Sequence, residues 1–191
     1  MSNIYLTYLN KGIAFLAWVE CIGVILVLII ASVLQFYLAE LPCPLCLLQR
    51  AAMMLMVIPI LLNLRYKRHI FNYTLSSLAA LLLGGIAMRQ VLLHINDPQG
   101  SGYGNTLLGF HLYTWVSIMA VIVIAYNCIV SSALREYKAP SLYYQNQLGK
   151  RVVSITILLF IVTALLNVIT TYSECGLQQC PDNPTHYIHE L

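Results

Sequence analysis

An all-α membrane protein is what this chain predicts: a four-helix transmembrane bundle plus a fifth transmembrane helix. Two observations carry the prediction. Of its 191 residues, 60% are hydrophobic and only 9% are charged, and mean hydropathy is +0.78. Soluble domains carry about 25% charged residues, so this chain cannot cover a water-facing surface. The apolar residues also fall into five stretches, roughly 13–38, 45–64, 70–95, 111–133 and 152–172. About 20 apolar residues cross a bilayer core as helix. The expectation is one integral membrane domain over 1–191, ending in a tail at 173–191.

The first stretch is too long for the apolar region of a cleaved leader, and no A-x-A site follows it, so it reads as a retained helix. It contains Glu20, protonated or paired at that depth, and Cys21. The second opens on Cys43-Pro44-Leu45-Cys46, and the third carries Arg89 and His94 near its end. Asp97-Pro98-Gln99-Gly100-Ser101-Gly102-Tyr103-Gly104 then reads as a turn-rich loop. His111, Tyr113 and Trp115 open the fourth stretch. With Tyr103 and Phe110 these aromatics read as interfacial anchors. His94 and His111 read as interfacial histidines or as groups that pass protons or hydrogen-bond a cofactor carbonyl. The fifth stretch delivers a tail with Cys175, Cys180, His186 and His189.

Orientation follows from the basic residues. Lys11, Arg65, Lys67, Arg68, Arg135, Lys138, Lys150 and Arg151 all lie at one set of helix ends. By the positive-inside rule those ends face the cytoplasm. The opposite connectors and the tail contain no Lys or Arg. The N-terminus is then inside and the C-terminus outside. The net charge of +3 reflects this topology and gives no argument for nucleic acid. Arg50 and Arg89 belong to neither set. Each lies about six residues inside an apolar span, roughly 9 Å below the outer surface at 1.5 Å per residue. Snorkelling accounts for one such residue. Two at matched depth, one of them beside a cysteine pair, point to a polar or anionic ligand.

The six cysteines are ordered. Cys43/Cys46 and Cys175/Cys180 lie on the outer side, where thiols in an oxidising compartment form disulfides. Cys21 and Cys128 lie inside spans and read as small hydrophobes. Cys46 falls in the first turn of the second helix, where unpaired N–H groups and the dipole favour a thiolate. Arg50 is four residues on, and Gln49 three, so all share one helix face. A static staple across so short a loop would stabilise little. Gly176 and Pro181-Asp182-Asn183-Pro184 keep the second pair in an exposed turn. That pair reads as an exchangeable disulfide or as a clip on the tail.

Pro42-Cys43-Pro44-Leu45-Cys46-Leu47-Leu48-Gln49-Arg50, and more weakly Gly85-Ile86-Ala87-Met88-Arg89, resemble the disulfide bond formation protein B (DsbB) family. The resemblance reaches over roughly 13–133. It implies a bacterial inner-membrane thiol oxidase. Such an enzyme reoxidises a periplasmic thioredoxin-fold (DsbA-like) dithiol protein and passes two electrons to quinone, ubiquinone or menaquinone, from the membrane pool. The implied relay residues are Cys43, Cys46, Cys175 and Cys180, with Cys175 attacked first by analogy with the family's order. The implied quinone-binding residues are Arg50, Gln49, Arg89 and His94, with no metal. Two features depart from the family. Its second cysteine pair usually lies between the third and fourth helices, whereas here it follows a fifth. Gln49 stands where the family often has an acid.

Other readings differ in class. Cys43, Cys46, Cys175, Cys180, His186 and His189 are possible zinc or Cu(I) ligands, although Arg50 beside the thiols repels a cation. A vitamin-K-reductase-like enzyme would carry its Cys-x-x-Cys later in the bundle. A non-catalytic scaffold with stapled ends would tolerate loss of Cys46.

Overall fold

The computed structural model describes residues 2–37, 41–95, 106–134, 147–180 and 187. Five helices dominate: α1 (Ser2–Tyr37), α2 (Pro44–Arg65), α3 (Ile70–His94), α4 (Leu112–Leu134) and α5 (Gln147–Cys175). Each contains a segment long and apolar enough to cross a membrane. The protein is a multi-pass helical membrane protein. Two predicted boundaries move. α1 starts well before residue 13, and α5 runs from Gln147 to Cys175 rather than 152–172. Polar residues at helix ends extend a helix beyond its hydrocarbon-spanning part at no burial cost, so hydropathy underestimates helix length.

The connection before α4 is not helical where the structure describes it. Strands β1 (Thr106–Leu107) and β2 (Phe110–His111) pair antiparallel. Leu108 (φ 53°) and Gly109 (φ 83°) form the turn, both at positive φ as tight two-residue hairpins require. The Trp115 indole donates to the Leu107 carbonyl at 2.9 Å. Phe110 meets the same indole edge-on at 6.0 Å. The hairpin is thereby tied to the first turn of α4.

α2 is the central element, packing against α1, α3 and α5, while α4 packs mainly on α3. Its Ala52, Met53, Met56, Val57, Ile60 and Leu64 are buried against the neighbouring helices. A Cβ on Gly84 would meet the Ala120 Cβ at 3.4 Å, so the missing side chain lets α3 and α4 approach closely, as small residues do in membranes. α5 lies beside the four-helix core, against α1 and α2. The Trp18 indole of α1 donates to Thr156 of α5 at 3.1 Å. The outward faces of all five helices carry exposed Leu, Ile, Val and Phe, the surface a lipid phase solvates.

Because successive helices alternate in direction, one end of the bundle collects the close of α1, α3 and α5 and the opening of α2 and α4. That end carries Cys43, Cys46, His94, His111 and Cys175. The opposite end carries Lys11, Arg65, Lys67, Arg68, Lys150 and Arg151. There Arg68 donates to the Asn10 carbonyl at 2.8 Å and to its side chain at 3.3 Å. Burial lowers the Arg68 pKa from its ordinary value. Arg135, Lys138, the turn-rich loop 97–104 with Tyr103, and His186 and His189 lie outside the described residues. Cys21 is buried, as expected, whereas Cys128 is exposed on α4. Which face of α4 is covered depends on packing, which sequence position alone cannot reveal. Glu20 lies beside Ser76 and Tyr73 of α3 and Tyr126 of α4.

Candidate functional site: two cysteine pairs at one end of the bundle

The site begins with a helix cap. Cys43 is extended (φ −69°, ψ 159°), and its sulfur accepts the Cys46 backbone N–H at 3.3 Å. Serine or aspartate oxygen usually fills this position. Pro44 follows at the first helical position, where its missing N–H costs nothing and its fixed φ suits the helix. Cys-Pro-x-Cys is therefore a self-capping helix start. It holds one thiol at the cap and the second three residues into the first turn. Both are free thiols, Cys43 buried and Cys46 half-buried. The hydrogen bond with the Cys46 sulfur, and after it burial, push the Cys43 thiol well above its ordinary value.

α3 supplies the residue that bridges the pair. The Gln90 side-chain amide donates to Cys43 Sγ at 3.4 Å and to Cys46 Sγ at 3.7 Å. Its Oε1 accepts from Gln49 Nε2 at 2.7 Å, which fixes which end of the Gln90 amide faces the sulfurs. The Gln90 carbonyl meets His94 Nδ1 at 2.9 Å. His94 stacks on Tyr113 at 5.6 Å, and His111 stacks on the same ring at 5.1 Å. Tyr113 is buried, so it is a packed ring between two histidines rather than an interfacial anchor.

Arg50 is buried in α2 and points toward α1. It donates to Gln35 Oε1 at 2.7 Å and to the Ala31 carbonyl at 3.2 Å. Gln35 in turn donates to the Tyr187 hydroxyl at 3.1 Å, which places Tyr187 at this end. Cys46, Cys43, Glu174 and Tyr187 all lie within electrostatic range of the guanidinium.

The tail pair is built by a helix stop. Gly176, at φ +60°, donates its N–H to the Tyr172 carbonyl at 2.7 Å. This is a left-handed C-terminal cap, which glycine adopts without a Cβ penalty. The reversal brings Cys180 back to Cys175, and the two form a disulfide with Cα atoms 4.7 Å apart. Cys175 is 3% exposed, while Cys180 is half-buried. Among the described residues Cys180 is thus the more accessible sulfur of the pair, whereas the family analogy points to Cys175 as the first attacked.

Residues 13–102 match the family model for disulfide bond formation protein DsbB. Over that segment the chain is similar to the DsbB family. The match covers α1 to α3 and stops short of α4, so it is narrower than the expected reach of 13–133. α5 and the tail pair lie outside it. No curated protein and no solved structure matches the chain. The DsbB family is one of membrane disulfide oxidoreductases and is generally linked to quinone. The donors next to Cys46, a guanidinium and a buried amide, fit an acceptor that gains negative charge. A lipid-open apolar groove of about 460 Å³ runs between α1 and α5 along Ile29, Ser32, Val33, Phe36, Thr163 and Leu166. It starts beside Ala31, the residue that anchors Arg50. The residues of this end therefore fit a quinone-class group.

Of the sequence-predicted residues, Cys43, Cys46, Gln49, Arg50 and His94 share one connected cluster. Arg89 does not join it: its side chain is exposed on α3, and the next residue, Gln90, turns inward. Adjacent helix positions differ by about 100°, and only packing decides which of the two faces the sulfurs. Gln90, Gln35 and Glu174 were not singled out by sequence reasoning. The available signal was an amide or acid inside an apolar span, where polar side chains are costly and seldom idle. Among the described residues no three His, Cys, Asp or Glu side chains gather as a metal site.

Proposed function

We propose that this protein is a quinone-dependent thiol oxidase of the bacterial inner membrane, with its N-terminus cytoplasmic and its C-terminus periplasmic. It reoxidises a periplasmic DsbA-like dithiol protein. The observation that carries the reading is the proximity of the two pairs: Glu174, next to Cys175, lies within electrostatic range of both Cys46 and Arg50.

The exchange steps balance as follows. A partner thiolate attacks Cys180 and Cys175 leaves. The second partner thiol displaces Cys180, and the partner departs oxidised, leaving two tail thiols. Cys175 then attacks Cys43 of an oxidised Cys43–Cys46 pair, and Cys46 leaves as a thiolate. Cys180 resolves the Cys175–Cys43 bond, restores the tail disulfide, and leaves Cys43 as the thiol. The product is a tail disulfide with a reduced Cys43/Cys46 pair. A quinone, when bound, would supply the two-electron oxidising power needed to return the pair to a disulfide. Arg50 and Gln49 are the residues that would hold it, with His94 at the edge of the cluster. Arg89, exposed, is the least supported of the proposed contacts. Arg50 compensates negative charge by position, an electrostatic role.

Anaerobic quinol formation with a reduced thioredoxin-fold dithiol protein tests the reading. Wild type is expected to produce quinol, and the Cys175→Ser/Cys180→Ser variant is not. Quinol from both would remove the tail from the relay. Quinol from neither, with both quinone classes tried, would overturn the oxidase reading.

A further inference from the structure

Glu174 has no assigned role, and its surroundings are unusual. It is 1% exposed, it sits in the last turn of α5, and among the described residues neither carboxylate oxygen accepts a hydrogen bond. The helix dipole at that end opposes a negative charge. The cation near it is Arg50, which is also the cation near Cys46. Among the described residues the guanidinium donates to Gln35 and Ala31, so it compensates both anions through space. An uncompensated charge in such a place costs several kcal/mol. One cation with two candidate anions is neutral only when one of the two carries a proton.

We propose that Glu174 is the proton-accepting positioning residue of the relay, exchanging the role of Arg50's counter-ion with Cys46. This deepens the oxidase reading and rests on it for its place in the cycle. While Cys43–Cys46 is oxidised, Cys46 bears no charge and Glu174 is the carboxylate beside Arg50. When the reduced tail reacts, the proton on Cys175 moves to the neighbouring Glu174 carboxylate. The Cys175 thiolate forms its bond to Cys43, and the Cys43–Cys46 bond breaks. The electron pair of that bond stays on Cys46 as a thiolate, which replaces the carboxylate as the partner of Arg50. The Cys180 proton ends on Cys43. Charge at the buried end is the same before and after, so the exchange never leaves Arg50 alone or facing two anions. Among the described residues the titratable or charged groups around Arg50 are Cys46, Cys43, Glu174 and Tyr187.

The test needs neither partner nor quinone, so it is separate from the oxidase assay. In protein with the tail disulfide intact and Cys43/Cys46 reduced, the alkylation rate of Cys46 is followed against pH by mass spectrometry of its peptide. Glu174→Gln removes the competitor for Arg50. Its Cys46 profile is expected to move to lower pH by about one unit, a tenfold change in the thiolate-to-thiol ratio. Glu174→Asp is expected to keep the wild-type profile. A Glu174→Gln profile that overlays wild type would overturn the proposal even if the oxidase assay succeeds. A shift with no oxidase activity would retain the coupling and reject the cycle. Should Glu174→Gln fail to fold, wild type decides. Blocking Cys46 as a thioether is expected to remove a protonated-carboxyl infrared band, and an unchanged spectrum would refute the exchange.

Discussion

Replacing Gln90 by leucine isolates what the buried amide does for the sulfurs. The volume is nearly kept, so packing against α2 changes little. Two N–H···S contacts, 3.4 Å to Cys43 and 3.7 Å to Cys46, are lost together. Hydrogen bonds to charged groups contribute about 1.5–3 kcal/mol. One amide shared between two sulfurs at the long end of the range takes the lower value, about 1.5 kcal/mol, or roughly tenfold in thiolate population. The Cys46 alkylation profile is therefore expected to move about one unit to higher pH, while Cys43 stays slow in both proteins. A second cost falls on stability: the Gln49 amide, which now donates at 2.7 Å, loses its acceptor in a buried place, at about 1–3 kcal/mol. Gln49→Leu separates the two effects, because it removes the group that orients Gln90 without touching the sulfurs. Its effect on the alkylation profile is expected to be smaller. The assay is peptide-resolved alkylation of anaerobically reduced protein whose tail disulfide is intact. An unchanged Cys46 profile in folded Gln90→Leu protein would refute the assignment of Gln90 as the group that supports charge on the pair.

Other outcomes follow from the same geometry. Arg50→Ala is expected to slow quinol formation strongly while leaving partner oxidation in a single turnover largely intact; equal loss of both would sink the division of roles. Gly176→Ala forces a Cβ into φ +60° at about 1–2 kcal/mol, and is expected to lower the fraction of protein with a closed tail disulfide under a fixed thiol buffer. Gly84→Ala is expected to be tolerated, because its Cβ would sit 3.4 Å from Ala120, whereas Gly84→Leu should loosen α3 from α4 and lower thermal stability in detergent.

Membrane class, five spans and the location of both cysteine pairs were legible without coordinates because each depends on local composition. A run of apolar residues is a span wherever it packs. Cys-Pro-x-Cys specifies its own helix start, since the cap sulfur, the proline and the first-turn thiol all act within four residues. The stop at Gly176 is equally local. Arg50 could be placed beside Cys46 for the same reason: four residues along one helix is one turn.

What the chain alone left open were the groups that meet across helices. Whether Arg89 or Gln90 faces the sulfurs depends on the rotation of α3, and α3 is apolar nearly all round. A hydrocarbon solvent does not impose the inside–outside contrast that fixes rotation in water; close packing and interhelical hydrogen bonds fix it instead. The same holds for Gln35 and Glu174, which reach Arg50 from α1 and α5, 15 and 124 positions away in the chain. The burial of Cys175 against the exposure of Cys180 is set by how deep α5 sits. Local sequence determined where the thiols begin; the tertiary packing of apolar helices decided which polar side chains accompany them.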